Sequence, residues 1–415
     1  MGKETSGSGS WLLLTRRVVQ ASVLVLTIVT GYRMTHGAAE ASIERFCPFG
    51  GLETAYALVT GGTFTCATGA GNLTIFVALL ALTVVARKSF CSWVCPVGTV
   101  SELLSRWTRS VKQLSPKNGW NRAWNYQTLG ISTPPPAVDR VLRWLRLPIL
   151  VVILFFTFRT GELVFRPFDP YYVLFSFHGH DVQAYSYVLL AAVLALAIWI
   201  PMAWCRYLCP LGVALWPLSR VGVLRVGRSD ATCTGCRACD LACPHSIQVS
   251  RLTTVDAGEC TLCLECTEAC SSSATLSLRR VPGARRTRAW LVPLIVVCLA
   301  LAGVAGSSAI RIPSTTRTFV TIPGAEAARV RFTLSGVRCV DTAASAMDRL
   351  APVPGVLSAT AFASRHEIEV EYDPAKTSPR ELKDAFEAPF QDPESGVWMF
   401  HSFTVLEVDG ERIER

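Results

Sequence analysis

Residues 233–270 read "CTGCRACDLACPHSIQVSRLTTVDAGECTLCLECTEAC" and set two cysteine runs at one spacing. The first is Cys233-x2-Cys236-x2-Cys239-x3-Cys243, followed by Pro244. The second is Cys260-x2-Cys263-x2-Cys266-x3-Cys270, followed by Ser271. A chain with eight thiols so spaced is confined to very few folds. Three close thiolates wrap one iron–sulfur cube, and a short following helix carries the fourth across to the neighbouring cube. One [4Fe–4S] cluster is therefore assigned to Cys233, Cys236, Cys239 and Cys270, and the other to Cys260, Cys263, Cys266 and Cys243. Zinc sites use two C-x2-C pairs rather than two matched sets of this kind.

This cysteine module sits in an apolar chain. Of 415 residues, 50% are hydrophobic and only 17% charged, against about 25% charged in soluble domains, and mean hydropathy is +0.36. Apolar runs at 11–32, 67–86, 144–163, 184–204 and 289–310 approach the ~20 residues that cross a bilayer, which predicts a multi-pass α-helical membrane protein of about five spans. The third run is short, and Arg143 and Arg146 are expected to snorkel at its inner end. With the N-terminus inside, the inner segments hold 24 Lys and Arg and the outer loops four. The positive-inside rule then makes the cysteine module cytoplasmic and everything after about 310 extracytoplasmic, in a bacterial inner membrane. The first run has signal-peptide features but is read as an uncleaved anchor. The net charge of +9 follows from loop arginines. No basic stripe with interleaved aromatics is present, so nucleic acid is excluded as a partner. No span contains a histidine, which argues against a transmembrane b-type haem.

A repeat lies in the membrane part. "FCSWVCPVGTVSELLSR" at 90–106 matches "WCRYLCPLGVALWPLSR" at 204–220, and "FCPFGG" at 46–51 echoes part of it. Cysteines at i and i+4 share a helix face, and the proline after the second cysteine suits the first turn of a new helix. If the repeats pack about a pseudo-twofold axis, Cys91, Cys95, Cys205 and Cys209 converge and hold a metal or a third cluster. Two separate dithiols, or inert buried thiols, remain open alternatives. Outside, Cys47 and Cys66 are free to form a disulfide. The loop "RPFDPYYVLFSFHGHD" offers Asp169, His178 and His180 to a quinol, although aromatics also gather at interfaces without a ligand.

After a linker at 311–324, residues 325–410 alternate as β-α-β-β-α-β, the α+β ferredoxin-like order. Here Gly336-Val337-Arg338-Cys339-Val340-Asp341-Thr342 resembles the metal loop of heavy-metal-associated domains. Cys339 stands at the first ligand position and Thr342 replaces the second. The resemblance implies either a weak soft-metal site at Cys339 or a docking domain that has lost its metal.

Residues 10–310 resemble the membrane polyferredoxins of the NapH, NosR and CcoG type, on "FCPFGGLE", the paired C-x3-C-P motifs and the double cysteine run. The resemblance implies a redox component of an electron-transfer complex rather than a stand-alone enzyme. It would pass electrons between a cytoplasmic donor or the quinone pool and a periplasmic redox or metal-maturation protein. The alternative is copper or mercury reduction and trafficking through the C-terminal domain. The expected divisions are a membrane domain (1–224), a cluster module (225–280), a fifth span (281–310), the linker (311–324) and the outer domain (325–410).

Overall fold

The computed structural model describes residues 7–35, 69–114, 136–160, 168–176, 183–309 and 313–412. It omits 273, 282, 284, 321–326, 338–339, 363–364, 392–397 and 400–402, and adds the single positions 50, 51, 55, 59 and 165. The chain divides into two compact units. One draws on 1–35, 77–156 and 164–302, the other on 36–76, 157–163 and 303–415.

The helices run α1 (Gly7–Thr35), α2 (Gly69–Ala86), α3 (Ser89–Trp93), α4 (Pro96–Leu114), α5 (Pro136–Trp144), α6 (Arg146–Thr160), α7 (Pro170–Ser176) and α8 (Ala184–Trp199). Trp11–Tyr32, with 22 residues, is among the described residues the one helix long and apolar enough to cross a membrane. At 1.5 Å per residue it reaches about 33 Å. Asn72–Ala86, Ala184–Trp199 and Leu291–Gly306 are apolar but shorter. Local breakers explain this. Glycine and asparagine crowd the start of α2, and Pro201 disfavours helix at Ile200 and ends α8. The third apolar run starts at a helix boundary, with α5 ending at Trp144 and α6 running from Arg146 to Thr160.

The expected cysteine module is closed by a strand clasp. β1 (Leu224–Arg228) pairs antiparallel with β2 (Leu276–Arg280), Leu224 opposite Arg280 and Arg228 opposite Leu276, and β3 (Arg285–Arg286) extends the sheet. Between the strands lie α11 (Ala238–Ala242) and α12 (Glu265–Ala269), which pack on each other; α9 (Pro210–Ala214) and α10 (Trp216–Val221) precede the clasp. Alternation along β1 and β2 buries Leu224, Val226, Leu276 and Leu278 in one core with Leu262, Leu264 and Trp93 of α3. The Trp93 indole N–H donates to the Leu262 carbonyl at 3.2 Å, so the module and the first C-x3-C-P repeat share a core. Helix α13 (Leu291–Ala309) follows.

In the second unit the strands β4 (Thr315–Thr318), β5 (Ala328–Ser335), β6 (Val356–Phe362), β7 (Glu367–Tyr372), β8 (Thr404–Val408) and β9 (Glu411–Arg412) form an antiparallel sheet in the order β9-β8-β5-β7-β6-β4. Val330, Phe332 and Leu334 alternate inward on β5 and meet α14 (Val340–Asp348) and α15 (Pro379–Glu387) through Ala346, Met347, Leu382 and Phe386. Helix α15 starts in a capping box, the Ser378 hydroxyl accepting from the Glu381 amide and the Glu381 carboxylate accepting from the Ser378 amide. The segment expected as a plain linker differs. Its threonine-rich 315–318 pairs with β6 as an edge strand, where β-branched residues suit the pleat.

Candidate iron–sulfur sites

Two cavities in the module are lined by the two expected thiol sets. Cys233, Cys236, Cys239 and Cys270 line one, with Arg228, Thr232 and Ser250. Cys243, Cys260, Cys263 and Cys266 line the other, with His245, Thr261 and Leu262. The two cavities are alike in size. Helix α11 takes the chain from Cys239 at the first cavity to Cys243 at the second, and α12 takes it back from Cys266 to Cys270.

The backbone repeats with the cysteines. Gly235 (φ 72°) and Arg237 (φ 58°) in the first run correspond to Leu262 (φ 45°) and Leu264 (φ 63°) in the second. Left-handed residues are costly for leucine. They are held here because both leucines are 1% exposed in the core. Successive turns of this hand aim amide N–H groups into a concavity that takes anions, iron–sulfur clusters included. The amide of Gly235 donates to the Cys233 sulfur and that of Ala238 to the Cys236 sulfur, which holds both thiols below the usual range. Around the second cavity burial dominates, pushing Cys243 up to about 11 and Cys263 up to about 12. Buried thiols with values raised in this way become thiolate ligands only with a cation such as iron among their sulfurs. The second cavity also contains buried polar atoms without a hydrogen-bond partner: both ring nitrogens of His245 and the Thr261 hydroxyl. Burial first, then Lys88, pushes the His245 imidazole well below its usual range, so it is neutral. The residues present fit a polar, sulfur-ligated group in each cavity. Among the described residues no three His, Cys, Asp or Glu groups converge closely enough for a single metal ion, as ligands spread around a cube would not.

The C-x3-C-P repeats also match in backbone detail. The Cys95 amide donates to the Phe90 carbonyl at 2.9 Å, and the Cys209 amide to the Trp204 carbonyl at 2.8 Å, both closing a five-residue π-type turn. Pro96 and Pro210 then start α4 and α9. Cys91, Cys95, Cys205 and Cys209 lie near enough for each to influence the others electrostatically. Burial pushes Cys205 well up and Cys209 up to about 12. The charge of Asp169 also acts on Cys209. Burial lifts the Asp169 carboxyl to about 7, and α7, which follows it, packs back on α1, α4 and α8. The expected outer loop is therefore folded back over 170–176 onto α1, α4 and α8.

Three buried ion-pair sets, invisible to sequence reasoning, join the repeats to the module. Arg16 of α1, 1% exposed, pairs with Glu102 of α4 and Glu265 of α12. Lys88 donates to Glu259 at 2.8 Å and to the Gly212 carbonyl at 3.3 Å, and Arg146 binds the same carboxylate. Arg206 and Arg143 share Asp139, and Arg143 also reaches the His245 carbonyl at 2.7 Å. Arg143 and Arg146 thus hold carboxylates instead of snorkelling. Charged residues at helix ends beside the cysteine motifs were the available signal, but not their partners. Burial would raise the Glu259 carboxyl, yet Lys88 and Arg146 outweigh it and hold it well below the carboxylate range. Cys47, Cys66, His178, His180 and Cys339 lie outside the described residues.

The family described as a 4Fe-4S binding domain matches residues 68–114 and 183–229, one copy on each C-x3-C-P repeat. A protein of Escherichia coli (strain K12) named for electron transport, YccM, is 29% identical over 281 residues, covering 65% of this chain and 73% of its own. The methylamine utilization ferredoxin-type protein MauN of Methylobacillus flagellatus is 27% identical, covering 56% of this chain and 76% of its own. The ferredoxin-type protein NapH of Escherichia coli (strain K12) is 26% identical, covering 52% and 70%. No solved structure matches. These likenesses bear out the resemblance to membrane polyferredoxins, whereas that of the C-terminal segment to heavy-metal-associated domains rests on its residues alone.

Proposed function

We propose that the chain is a membrane-bound electron carrier holding two [4Fe–4S] clusters in its cytoplasmic module and a third at Cys91, Cys95, Cys205 and Cys209. The observation that carries this reading is the pair of cavities, each lined by four cysteines contributed crosswise by two repeated runs. A bound [4Fe–4S] cluster supplies one-electron storage at a potential set by its surroundings. The protein supplies the rest. Left-handed turns direct amides at the sulfurs, the Leu262 and Leu264 core excludes water from the second site, and Lys88 ties Glu259, next to Cys260, to the Gly212 carbonyl of the second C-x3-C-P repeat. That tie, together with the match of a 4Fe-4S binding domain to each repeat, supports a third site beside the second cluster.

Membrane residence is supported by apolar residues left exposed on the helices, among them Leu26 of α1, Phe155 of α6, Val188 of α8 and Leu301 of α13. We read five spans, the shorter ones tolerated by local thinning of the bilayer, and read β5-α14-β6-β7-α15-β8 as an extracytoplasmic ferredoxin-like domain that docks a redox or metal-maturation partner. Electrons would come from a cytoplasmic donor or the quinone pool. Anaerobic purification with iron counting tests the cofactors. About twelve irons per chain are expected, falling to about eight in the Cys95→Ser, Cys209→Ser double variant. An unchanged count in that variant removes the third site.

A further inference from the structure

The two cysteine runs match in spacing and backbone, but their surroundings do not. Around the first cavity Thr234, Gly235, Cys236 and Arg237 are exposed. Around the second, Thr261, Leu262, Cys263 and Leu264 are buried. His245, 2% exposed, and Thr261, also 2% exposed, line only the second cavity. The position that corresponds to His245 after the other run is Ser272.

Both His245 ring nitrogens and the Thr261 hydroxyl lack a partner. Buried polar atoms are nearly always paired, so three orphans on one cavity wall mark a missing acceptor. A neutral imidazole carries one N–H donor and a threonine hydroxyl another. Apart from those two residues the wall is mostly apolar or thiol, so the acceptor available to them is sulfur of the bound group.

We propose that His245, seconded by Thr261, donates a hydrogen bond to the second cluster and sets its potential above that of the first. The assignment rests on the cluster reading above. Reduction adds negative charge to the cluster, and a fixed donor in a water-poor site stabilises that charge. The first cluster, ringed by exposed residues, is then the terminal reached by a soluble one-electron carrier protein, and the second is the inward relay. An electron from such a carrier would enter beside the exposed residues around Cys236 and pass inward toward the cavity that His245 lines. No bond is broken and no proton is transferred. His245 is a positioning residue for this step and touches no substrate.

The test is an EPR-monitored redox titration of the anaerobically purified full chain, with a Cys236→Ala background used to assign the second cluster's signal. His245→Phe is expected to lower the second midpoint by about a tenfold change in the reduction equilibrium, about 59 mV for one electron. The first midpoint and the iron content should be unchanged, and His245→Asn, which keeps an N–H donor, should recover part of the shift. Equal shifts of both midpoints, or none at full iron content, would overturn the proposal. Should His245→Phe shed the second cluster, Thr261→Val decides: a lowered second midpoint supports the proposal and an unmoved one overturns it. Failure of the cluster reading is separately visible, as wild-type protein without iron.

Discussion

Glu259 shows how single residues bind the redox module to the helices. It sits immediately before Cys260 and receives Lys88 and Arg146 in a site where all three are nearly dry. Removing one member of a buried ionic set leaves the others unpaired, at a cost of roughly 3–5 kcal/mol. Glu259→Gln should therefore lower stability by that order in chemical denaturation at neutral pH. Its carboxyl is depressed in the folded state, so its contribution is fully present above the unfolded value of about 4.3 and fades as pH falls toward the folded one. The difference between wild type and variant should accordingly shrink below about pH 4; a difference that stays constant down to pH 3 would show that packing, not charge, makes the contribution. Arg16 is the counterpart on α1. Arg16→Met would leave Glu102 and Glu265 to the partly exposed Arg106 alone, so its cost should fall below the roughly 3–5 kcal/mol of a fully unpaired buried set. The same contact predicts that α1 stays attached in the mature protein, since cleavage would strip Arg16 from both carboxylates. Amino-terminal sequencing of membrane-extracted protein checks this, and a terminus beyond residue 35 would refute it.

At the scale of elements, the C-x3-C-P turns are built on close approach. A Cβ on Gly98 would stand 2.1 Å from the Cys91 carbonyl oxygen, while one on Gly212 would stand 3.1 Å from the corresponding Cys205 oxygen. Gly98→Ala must push the α3–α4 turn apart, at a cost on the order of 1–3 kcal/mol. It should expose Cys91 and Cys95 to thiol reagents in metal-free protein more than Gly212→Ala exposes Cys205 and Cys209. Equal labelling of the two pairs would deny that the turns differ in tightness. Those turns were legible in the sequence because their information is local. The spacing of thiols, the proline after the second cysteine and the glycine two residues further on fix each turn within a few positions. The crosswise thiol assignment rests on the same local spacing, since α11 and α12 are each one short step from cavity to cavity. What holds these elements together was not legible. Arg16 lies 249 residues from Glu265 and Lys88 lies 171 from Glu259, and no pattern in one sequence pairs charges that far apart. The fold-back of α7 was missed because aromatic residues around Asp169 look alike at a membrane interface and in a helix packing contact. The edge strand at 315–318 was missed because four residues of threonine and arginine are a weak strand signal.

For the whole molecule, the account describes a path with an exposed end and a buried end. In the proposed path the exposed rim at Cys236 is one end and the C-x3-C-P thiols the other, and the Lys88–Glu259 pair adjoins Cys260 and acts on Cys91. The proposed cytoplasmic placement of the rim rests on the positive-inside rule, with 24 Lys and Arg in the segments read as inner against four in those read as outer. Membrane-impermeant labelling of single cysteines placed at Arg285 and Lys376 should mark only the second in right-side-out vesicles, and labelling of Arg285 would reverse the orientation. All of this depends on crosswise ligation by the two runs. The most direct measurement is EPR of reduced, anaerobically purified single variants with iron counted per chain. The account predicts that Cys270→Ser abolishes the same signal as Cys233→Ser, and that Cys243→Ser abolishes the same signal as Cys260→Ser. If Cys243→Ser instead removes the signal lost in Cys233→Ser, or the wild-type protein is colourless and free of iron, the account is contradicted.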